Sequence, residues 1–382
     1  MPKKRIILIG ATGSIGRQTL EVVREKSDLF EVVGLVANQD KAGLLAAAEN
    51  LLQNNESCKK PALCLSGIDP HDSRIEFQGT SGMLSLIENI EAEIVVNGAS
   101  GSSGLGPSLK ALESGKNLAL ANKESVVMGF GLLRSAAQSS GRMIIPVDSE
   151  HAALFQLIAR VGRSEVEELI ITASGGAFRN RPIQELALVT ADDASHHPNW
   201  KMGRKISIDS ATMANKGLEV IEAVRLFDFS PEKVKVLVHP QSLVHALVRS
   251  RDGSLYANLS EPDMRLPILN ALTWPQVLPS PFAHLELSNR ILEFQKPNPE
   301  RYPLLGLAYF AASEGEGYSI AFNAADEIAV SAFETGSIGF LDIAKVVART
   351  LEREWPKRLF SLEEIMLTDM AAREIALTTI KD

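Results

Sequence analysis

Cysteine is nearly absent from this sequence of 382 residues, which contains only Cys58 and Cys64. Two thiols cannot complete a tetrahedral zinc site, and no Cys-x-x-Cys pair is present. We therefore interpret both cysteines as ordinary residues of a protein in a reducing compartment.

An excess of positive charge and long apolar runs are also missing. The net charge is −8 and the sequence pI is about 5.5, which excludes the global basic field of nucleic-acid-binding proteins. No run approaches the roughly 18 apolar residues of a membrane span. The apolar stretch that follows Lys3 and Lys4 ends in a glycine turn, so it predicts a first strand rather than a signal peptide. We expect a cytoplasmic protein with neither nucleic acid nor membrane as a partner.

The composition, with 45% hydrophobic and 23% charged residues, is typical of a globular chain, and the length predicts more than one domain. Residues 1–148 alternate short apolar runs with amphipathic stretches, which predicts a Rossmann-like, mostly parallel sheet in an α/β fold. The predicted strands of this domain are residues 5–9, 32–36, 94–96, 118–120 and 143–147.

The pattern changes after residue 148. Residues 149–293 predict an α+β domain with strands at 169–172, 205–208 and 234–238, and with a hairpin whose strands, 243–248 and 254–259, flank Asp252-Gly253. The proline-rich residues 294–303 predict a linker. Residues 304–382 have helical periodicity almost throughout and predict a small C-terminal helical domain.

The motif GATGSIG at residues 10–16 follows the first predicted strand and opens an amphipathic helix. Small residues at such a turn let the backbone approach a pyrophosphate, and the helix N-terminus supplies N–H groups. The motif therefore indicates dinucleotide binding, although a tight turn without a ligand would have the same pattern. The second strand ends at Asn38-Gln39-Asp40, where such folds contact the adenosine ribose. An acidic residue there usually favours NAD, whereas the neighbouring Arg17 and Lys41 would suit NADP.

Two segments carry carboxylates. Asp148-Ser149-Glu150 lies between a predicted strand and a helix, and it could either chelate a hard divalent cation or cap the helix. In and just after SATMANKGLE, at residues 210–219, helical spacing puts several polar residues on the same face of one helix. A third carboxylate from this face would complete a metal-ligand set. The residues of that predicted face are Thr212, Asn215, Lys216, Glu219 and Glu222.

Two further segments are candidate loops around a ligand. Ser174-Gly175-Gly176 follows a predicted strand and could form an anion cradle or a flexible turn. Residues 196–203, HHPNWKMG, form a polar loop whose tryptophan and methionine need a surface to cover. They could pack on the core or close over a ligand.

Taken together, these motifs resemble the 1-deoxy-D-xylulose 5-phosphate reductoisomerase family. The similarity runs in order along most of the chain, through GATGSIG, LANKES, PVDSEH, SGGAF, HPNWKMGRK, IDSATMANKGLE, HPQSLVHALV, EPDMR and FNAADEIAV. The pair HPNWKMG and SATMANKGLE is far more specific than the glycine motif. The chain departs from many relatives in having Asn38-Gln39-Asp40 where they have Gly-Lys-Asn.

The resemblance implies an NADPH-binding domain, a catalytic domain with a mobile loop and a helical domain, in a homodimer. It implies that Mg²⁺ or Mn²⁺ is bound by Asp148, Glu150 and Glu219. The implied substrate contacts are Lys123, Ser149, Glu150, Ser174, His197, Ser210, Asn215, Lys216 and Glu219, of which Ser174, Ser210, Asn215 and Lys216 hold the phosphate. Trp200 and Met202 belong to the lid. The implied cofactor contacts are Thr12, Gly13, Ser14, Ile15, Asn38, Gln39, Asp40, Asn122, Glu124 and Gly203.

The implied reaction converts 1-deoxy-D-xylulose 5-phosphate, a phosphorylated ketose, into 2-C-methyl-D-erythritol 4-phosphate in non-mevalonate isoprenoid synthesis. It combines a skeletal rearrangement, by a ketol shift or a retro-aldol/aldol route, with hydride transfer from NADPH. A semialdehyde-type NADP dehydrogenase shares the GATG opening, but it needs a catalytic cysteine and no cysteine follows Cys64. A non-catalytic dinucleotide-binding protein would need neither three carboxylates nor a lid.

Overall fold

The computed structural model describes residues 2–53, 59–67, 72–196, 199–200, 203–282 and 284–381. The chain forms two compact units. Unit 1 contains Met1–Ser125, Gly131–Ala152 and Asp263–Ala283, and unit 2 contains Val126–Phe130, Ala153–Pro262 and His284–Asp382. The division into an NADPH domain (1–148), a catalytic domain (149–293), a linker (294–303) and a helical domain (304–382) stays a prediction.

The strands of the described residues are β1 (Lys4–Ile9), β2 (Phe30–Ala37), β3 (Ala62–Leu65), β4 (Phe77–Gln78), β5 (Ile94–Asn97), β6 (Asn117–Leu120), β7 (Ile144–Pro146), β8 (Val166–Ala173), β9 (Val234–Val238), β10 (Val244–Ser250) and β11 (Leu255–Leu259). The α-helices are α1 (Ser14–Glu25), α2 (Lys41–Gln53), α3 (Gly79–Asn89), α4 (Leu105–Glu113), α5 (Lys123–Ser140), α6 (Ser149–Val161), α7 (Ala191–Ala194), α8 (Arg204–Thr212), α9 (Ala214–Phe227), α10 (Arg265–Thr273), α11 (Pro303–Glu314), α12 (Glu316–Glu334), α13 (Asp342–Leu351) and α14 (Leu362–Lys381).

Unit 1 contains a seven-stranded sheet in the order β4-β3-β2-β1-β5-β6-β7, and every neighbouring pair is parallel. Its central strands are continuous apolar runs because parallel strands are buried on both faces; Ile6, Ile7 and Leu8 of β1 are fully buried. The strand order reverses at β1. Ligands of such sheets bind at the carboxyl ends of the strands beside that reversal. The predicted Rossmann-like sheet is confirmed.

Unit 2 contains a four-stranded mixed sheet in the order β11-β10-β8-β9. β10 is antiparallel to β8 and β11, whereas β8 and β9 are parallel. The hairpin predicted around Asp252-Gly253 is therefore present, and Gly253 has a φ of +87° in its turn. One face of this sheet contributes Leu169, Ile171 and Val248 to a buried cluster with Val220 of α9.

The strand predicted at residues 205–208 is wrong, because this segment is part of α8. Ile206 and Ile208 alternate with polar residues, and so short an alternating run does not distinguish a strand from a helix. The buried positions Ser207, Ile208, Ala211 and Thr212 follow helical spacing instead.

A C-terminal helical region is present, as predicted. Helices α11 to α14 pack around a buried cluster that includes Phe322, Ala325, Val347 and Ala372. No helix among the described residues is both long enough and apolar enough to cross a bilayer.

Candidate functional site

The turn after β1 allows close approach of the backbone. Gly10 has a φ of +78°, and a Cβ atom on it would lie 2.6 Å from the carbonyl oxygen of Gly98. A Cβ on Gly16 would clash with the carbonyl oxygen of Gly10. Helix α1 begins at Ser14, and among the described residues no side chain caps it at Gly13 and its first turn holds no acidic residue. The positive end of the helix dipole is therefore accessible to an anion such as a pyrophosphate.

Asp40, which lies between β2 and α2, forms a hydrogen bond with the first turn of α2. The Asp40 Oδ1 atom accepts a hydrogen bond of 2.9 Å from the Gly43 backbone N–H, so the carboxylate caps this helix. A cavity of about 450 Å³ adjoins it, and Thr12, Arg17 and Asp40 are among the residues that line it. A cation and an anion thus border the same space beside the glycine turn.

The loop after β5 is a candidate site that the sequence reasoning missed. The buried Asn97 side chain accepts a 3.0 Å hydrogen bond from the Ala99 backbone N–H. Asn122, after β6, donates to the carbonyl oxygens of Ala99 and Gly101 at 3.0 Å each, and Gly101 donates to Glu124 at 3.1 Å. Asn122 and Glu124 therefore shape the loop at residues 98–101. The sequence does contain a signal for this loop, because Gly-Ala-Ser-Gly at residues 98–101 follows a strand and resembles the Gly-Ala-Thr-Gly turn at residues 10–13.

Asp148 follows β7, and both of its carboxylate oxygens have polar neighbours. Its Oδ2 atom accepts a 3.1 Å hydrogen bond from the Lys123 ammonium, and its Oδ1 atom lies 3.0 Å from Nδ1 of the buried His151. Its Oδ1 also accepts from the Glu150 backbone N–H at 3.3 Å, which is a helix-cap contact. Asp148 therefore caps α6 and also lies beside a cation. His151 is a further residue that the sequence reasoning missed, although it directly follows the Asp-Ser-Glu motif.

Glu150 and Ser149 lie in the first turn of α6, and the Ser149 hydroxyl donates to the Glu150 carboxylate at 2.5 Å. Both side chains are partly exposed. Unit 1 thus places two carboxylates, Asp148 and Glu150, at the carboxyl end of an edge strand of its sheet, together with Lys123.

In unit 2, the loop after β8 packs against the end of α8. Gly175 and Gly176 have φ values of +86° and +70°, and a Cβ on Gly176 would lie 2.5 Å from the Ser210 carbonyl oxygen. The Ser174 hydroxyl accepts a 3.1 Å hydrogen bond from the Gly176 backbone N–H, and the Tyr302 hydroxyl donates to the Gly175 carbonyl oxygen at 2.9 Å. The fold thus brings Ser174 and Ser210 to neighbouring positions.

The start of α9 gathers three of the predicted site residues. The Asn215 amide donates to the Glu219 carboxylate at 2.5 Å, and the Lys216 ammonium donates to its other oxygen. Lys216 and Glu219 are both buried, with 4% and 1% of their surface exposed. The mutual attraction offsets part of the free-energy cost of burying either charge.

Thr212 does not share this helical face, which corrects the sequence prediction. Met213 has a φ of +61° and separates α8 from α9, and the Thr212 hydroxyl accepts from the Ala214 backbone N–H at 3.2 Å instead. Thr212 therefore stabilises the turn between the helices. Glu222 is on α9 and is buried.

The predicted lid is only partly described, and His197 and Met202 lie outside the described residues. The Trp200 ring lies 6.2 Å from the His245 ring, between centroids. The preceding Asn199 donates to the Pro240 carbonyl oxygen at 2.6 Å and to the Ser242 hydroxyl at 2.8 Å.

Gly203, which the resemblance assigns to the cofactor, is an exposed N-cap residue of α8.

Three family models match the chain in sequence order. The first describes 1-deoxy-D-xylulose 5-phosphate reductoisomerase and matches residues 6–130. The second describes the C-terminal domain of 1-deoxy-D-xylulose 5-phosphate reductoisomerase and matches residues 144–227. The third describes the DXP reductoisomerase C-terminal domain and matches residues 259–375.

Individual relatives match the chain over its whole length. The 1-deoxy-D-xylulose 5-phosphate reductoisomerase of Treponema denticola is 45% identical and is matched over 100% of this chain and 98% of that protein. A solved Zymomonas mobilis reductoisomerase in complex with NADPH is 39% identical, with a TM-score of 0.90 over 100% of both chains. A solved DOX-P reductoisomerase with NADPH, fosmidomycin and magnesium is 35% identical, with a TM-score of 0.90 over 99% of this chain and 98% of that one. The chain belongs to the 1-deoxy-D-xylulose 5-phosphate reductoisomerase family.

Proposed function

We propose that this chain is an NADPH- and metal-dependent reductoisomerase. It converts 1-deoxy-D-xylulose 5-phosphate into 2-C-methyl-D-erythritol 4-phosphate, a step of non-mevalonate isoprenoid precursor synthesis. The observation that carries the proposal is full-length identity of 41–45% to reductoisomerases of this name.

NADPH supplies the hydride that reduces the rearranged substrate. The residues of unit 1 fit a dinucleotide, because Gly10 and Gly16 allow a tight turn after β1 and the N-terminus of α1 has neither a side-chain cap nor an acidic residue in its first turn. We assign the cofactor to Thr12, Gly13, Ser14 and Ile15 at the turn and to Asn38, Gln39 and Asp40 after β2. Asn122 and Glu124, also assigned to the cofactor, form hydrogen bonds with the neighbouring loop at residues 98–101. Gly203 would contact the cofactor from α8.

A divalent cation, Mg²⁺ or Mn²⁺, supplies Lewis-acid stabilisation of negative charge on the substrate oxygens. We assign it to Asp148, Glu150 and Glu219. Carboxylate oxygens are the donors that these hard cations prefer. Lys123 beside Asp148 and Lys216 beside Glu219 reduce the cost of gathering several negative charges.

The remaining residues bind and orient the phosphorylated ketose. Ser174 and Ser210 offer hydroxyl groups at a turn of two glycines with positive φ, while Asn215 and Lys216 offer an amide and an ammonium one helix later. These groups suit a phosphate dianion. Lys123 places positive charge near the reacting oxygens. We assign Ser149, Glu150 and His197 to the substrate as well, and Trp200 and Met202 to the lid that closes over it and excludes water.

A semialdehyde-type dehydrogenase is disfavoured by the chemistry of Cys64. This thiol is fully buried in β3, and burial raises its pKa to about 12. It is therefore protonated at neutral pH and cannot serve as a nucleophile. No cysteine follows it in the sequence.

A single assay tests the proposed function. NADPH absorbance is followed with 1-deoxy-D-xylulose 5-phosphate as the substrate, with Mg²⁺ present and after its removal by chelation. We expect NADPH oxidation that needs both the substrate and the metal. A protein that binds NADPH without oxidising it would be a dinucleotide-binding protein rather than this enzyme.

We also propose that a second copy of the chain pairs along β11. This strand is an edge of the sheet in unit 2, and its Leu255 and Tyr256 side chains are 50% and 46% exposed. Unpaired edges with apolar side chains favour strand addition, and a twofold axis would let β11 pair with itself.

Tyr256→Asp is expected to shift the protein from dimer to monomer in sedimentation velocity, because it places a charge at the paired edge. Leu188→Asp is the control, since Leu188 is 79% exposed and lies outside that strand. Equal dissociation by both variants, or by neither, would contradict a dimer built on β11.

The preference for NADPH over NADH is expected to depend on Arg17 more than on Lys41. Arg17 borders the same cavity as Asp40, whereas the Lys41 ammonium lies 3.2 Å from Asp72 and is partly neutralised by it. Exposed charges of this kind contribute up to about 1 kcal/mol, or roughly fivefold. Arg17→Ala should therefore narrow the ratio of kcat/KM between the two cofactors, and Gln39→Lys should widen it.

Lys41→Ala is the matched control for that measurement, made at fixed metal and substrate. If NADH is the better hydride donor of the wild-type protein, Asp40 binds the ribose hydroxyls and the assignment of NADPH to this site is wrong.

A further inference from the structure

Asp326, in the FNAADEIAV motif of α12, is a buried carboxylate to which the proposed function gives no role. None of its surface is exposed, and its Oδ2 atom lies 3.1 Å from the Lys205 ammonium. The same ammonium lies 2.5 Å from Oδ2 of Asp209. Lys205 and Asp209 both belong to α8. The Lys205 ammonium therefore pairs with two aspartates, one from α8 and one from α12.

The two carboxyl groups hold more negative charge than the lysine balances. The Asp209 and Asp326 carboxyl groups bind the same Lys205 ammonium, so they lie beside each other. Two ionised carboxylates cannot donate to each other, and with both ionised the buried Oδ1 atom of Asp326 has no donor among the described residues. A single proton held between the two groups supplies that donor and removes one negative charge from the interior.

The surroundings favour the protonated form. Burial raises the pKa of Asp326, and this effect outweighs the opposing attraction of Lys205. The charged groups that face it are Lys205 and Asp209 from α8 and Glu327 from its own helix, and Arg373 of α14 donates to Glu327. Further charged groups on helices packed against α12 are Asp369 of α14, which pairs with Arg373, and Arg225 of α9, which contacts Ser319 and Glu316 near the start of α12.

This cluster lies at the first turn of the helix that carries Ser210. Arg204, the first residue of α8, forms a second ion pair with Glu334 of α12, at 3.3 Å. The two ion pairs hold the N-terminal turn of α8 against α12. The far end of α8 packs on Gly176 through the Ser210 carbonyl oxygen. A shift of the helix start would therefore move the hydroxyl assigned to the substrate phosphate.

We propose that Asp326 is a positioning residue of the phosphate site, which holds α8 in place through Lys205 and through one proton shared with Asp209. The inference rests on the proposed function, since it assigns Ser210 to the substrate phosphate. Asp326 itself does not contact the substrate.

Two substitutions distinguish a proton shared between Asp326 and Asp209 from a simple ion pair between an ionised Asp326 and Lys205. Asp326→Asn keeps an acceptor for Lys205 and offers an N–H donor to Asp209, as the protonated acid does. It is expected to keep KM for 1-deoxy-D-xylulose 5-phosphate within about threefold of the wild type. Asp326→Ala removes both contacts and is expected to raise KM about tenfold, because small displacements of binding groups are costly. We expect kcat and NADPH affinity to change far less.

Glu327→Ala is the control for stability. Glu327 lies on the same helix and bonds to Arg373 instead of α8, so its loss should lower Tm without raising KM. If Asp326→Asn raises KM as much as Asp326→Ala, Asp326 acts as an ionised partner of Lys205 and the shared proton is refuted. An unchanged KM in Asp326→Ala would refute the positioning role.

A melting series without substrate tests the proton independently of turnover. A raised pKa in the folded state means that the wild type loses stability as pH rises from the unfolded value, near 3.9, through the folded value. Asp326→Asn cannot lose that proton. Its Tm relative to the wild type is therefore expected to increase with pH over the range above the unfolded value. A constant difference over this range would contradict a proton on Asp326.

The outcomes also separate this inference from the proposed function. A wild-type protein that does not oxidise NADPH with the substrate would refute the function, together with the role given to Ser210. An active wild type whose Asp326→Ala variant has normal KM would refute the inference alone.

Discussion

Glu219→Gln is expected to lower kcat by about a thousandfold at saturating Mg²⁺. The substitution replaces one of three proposed anionic ligands with a neutral amide, and stabilisation by such a metal is worth several kcal/mol, with each 1.4 kcal/mol a factor of ten. The measurement is NADPH oxidation over a range of Mg²⁺ and Mn²⁺ concentrations. Asp148→Asn should behave in the same way, because it removes a second ligand.

Glu222→Gln is the matched control. Glu222 and Glu219 lie one turn apart on α9, and each has 1% of its surface exposed, so both variants replace a buried carboxylate. Only the loss of Glu219 removes a proposed ligand. If Glu222→Gln abolishes turnover while Glu219→Gln retains it, Glu222 rather than Glu219 binds the metal.

Glu219→Gln is also expected to lower Tm, which the sequence alone did not indicate. The Glu219 carboxylate contacts the buried Lys216 ammonium, and a neutral amide holds that charge less strongly. Activity must therefore be compared at a temperature well below the Tm of the variant. NADPH binding, which involves other residues, reports whether the variant is folded.

Most strands of the unit 1 sheet were predictable because burial on both faces leaves a simple pattern, but β3 and β4 were not predicted. The predicted strands are short runs of apolar residues, such as Ile6 to Ile9, which is followed by Gly10. Ligand groups lie at the carboxyl ends of parallel strands, so predicting a strand also located candidate residues. Asp148 after β7 and Asn122 after β6 follow this rule.

Local irregularities were not predictable from the same patterns. The run at residues 205–208 fits a strand and a helix equally well, and only its tertiary packing selects the helix. Met213 adopts a φ of +61° without being a glycine, so no residue signal marked the break between α8 and α9. For this reason Thr212 was wrongly placed on the face that carries Asn215.

Contacts between distant residues were also beyond the sequence patterns. Lys205 and Asp326 are 121 residues apart, and nothing in either local pattern indicates that one lysine faces two aspartates. The same holds for Tyr302, whose hydroxyl donates to the Gly175 carbonyl oxygen from a segment predicted to be a linker. These groups support the proposed site without belonging to its motifs.

Ser210→Ala is expected to weaken the binding of 1-deoxy-D-xylulose 5-phosphate by about tenfold or more. A hydrogen bond to a charged group contributes roughly 1.5 to 3 kcal/mol, and the methyl group cannot replace it. Lys216→Ala should weaken binding further, because it removes a full positive charge. The measurement is substrate affinity by calorimetry with Mg²⁺ present and NADPH absent.

The second half of this prediction is that NADPH affinity is unchanged in both variants, since neither Ser210 nor Lys216 is among the residues assigned to the cofactor. Ser207→Ala is the matched control, because Ser207 is on the same helix and donates to the Gly203 carbonyl oxygen at 3.0 Å. It should bind the substrate normally. Lys216→Ala also disturbs Glu219, so Ser210→Ala is the cleaner test of phosphate binding. If the Ser210 and Lys216 variants bind the substrate normally and lose NADPH instead, these two residues contact the cofactor, and the phosphate must be held elsewhere.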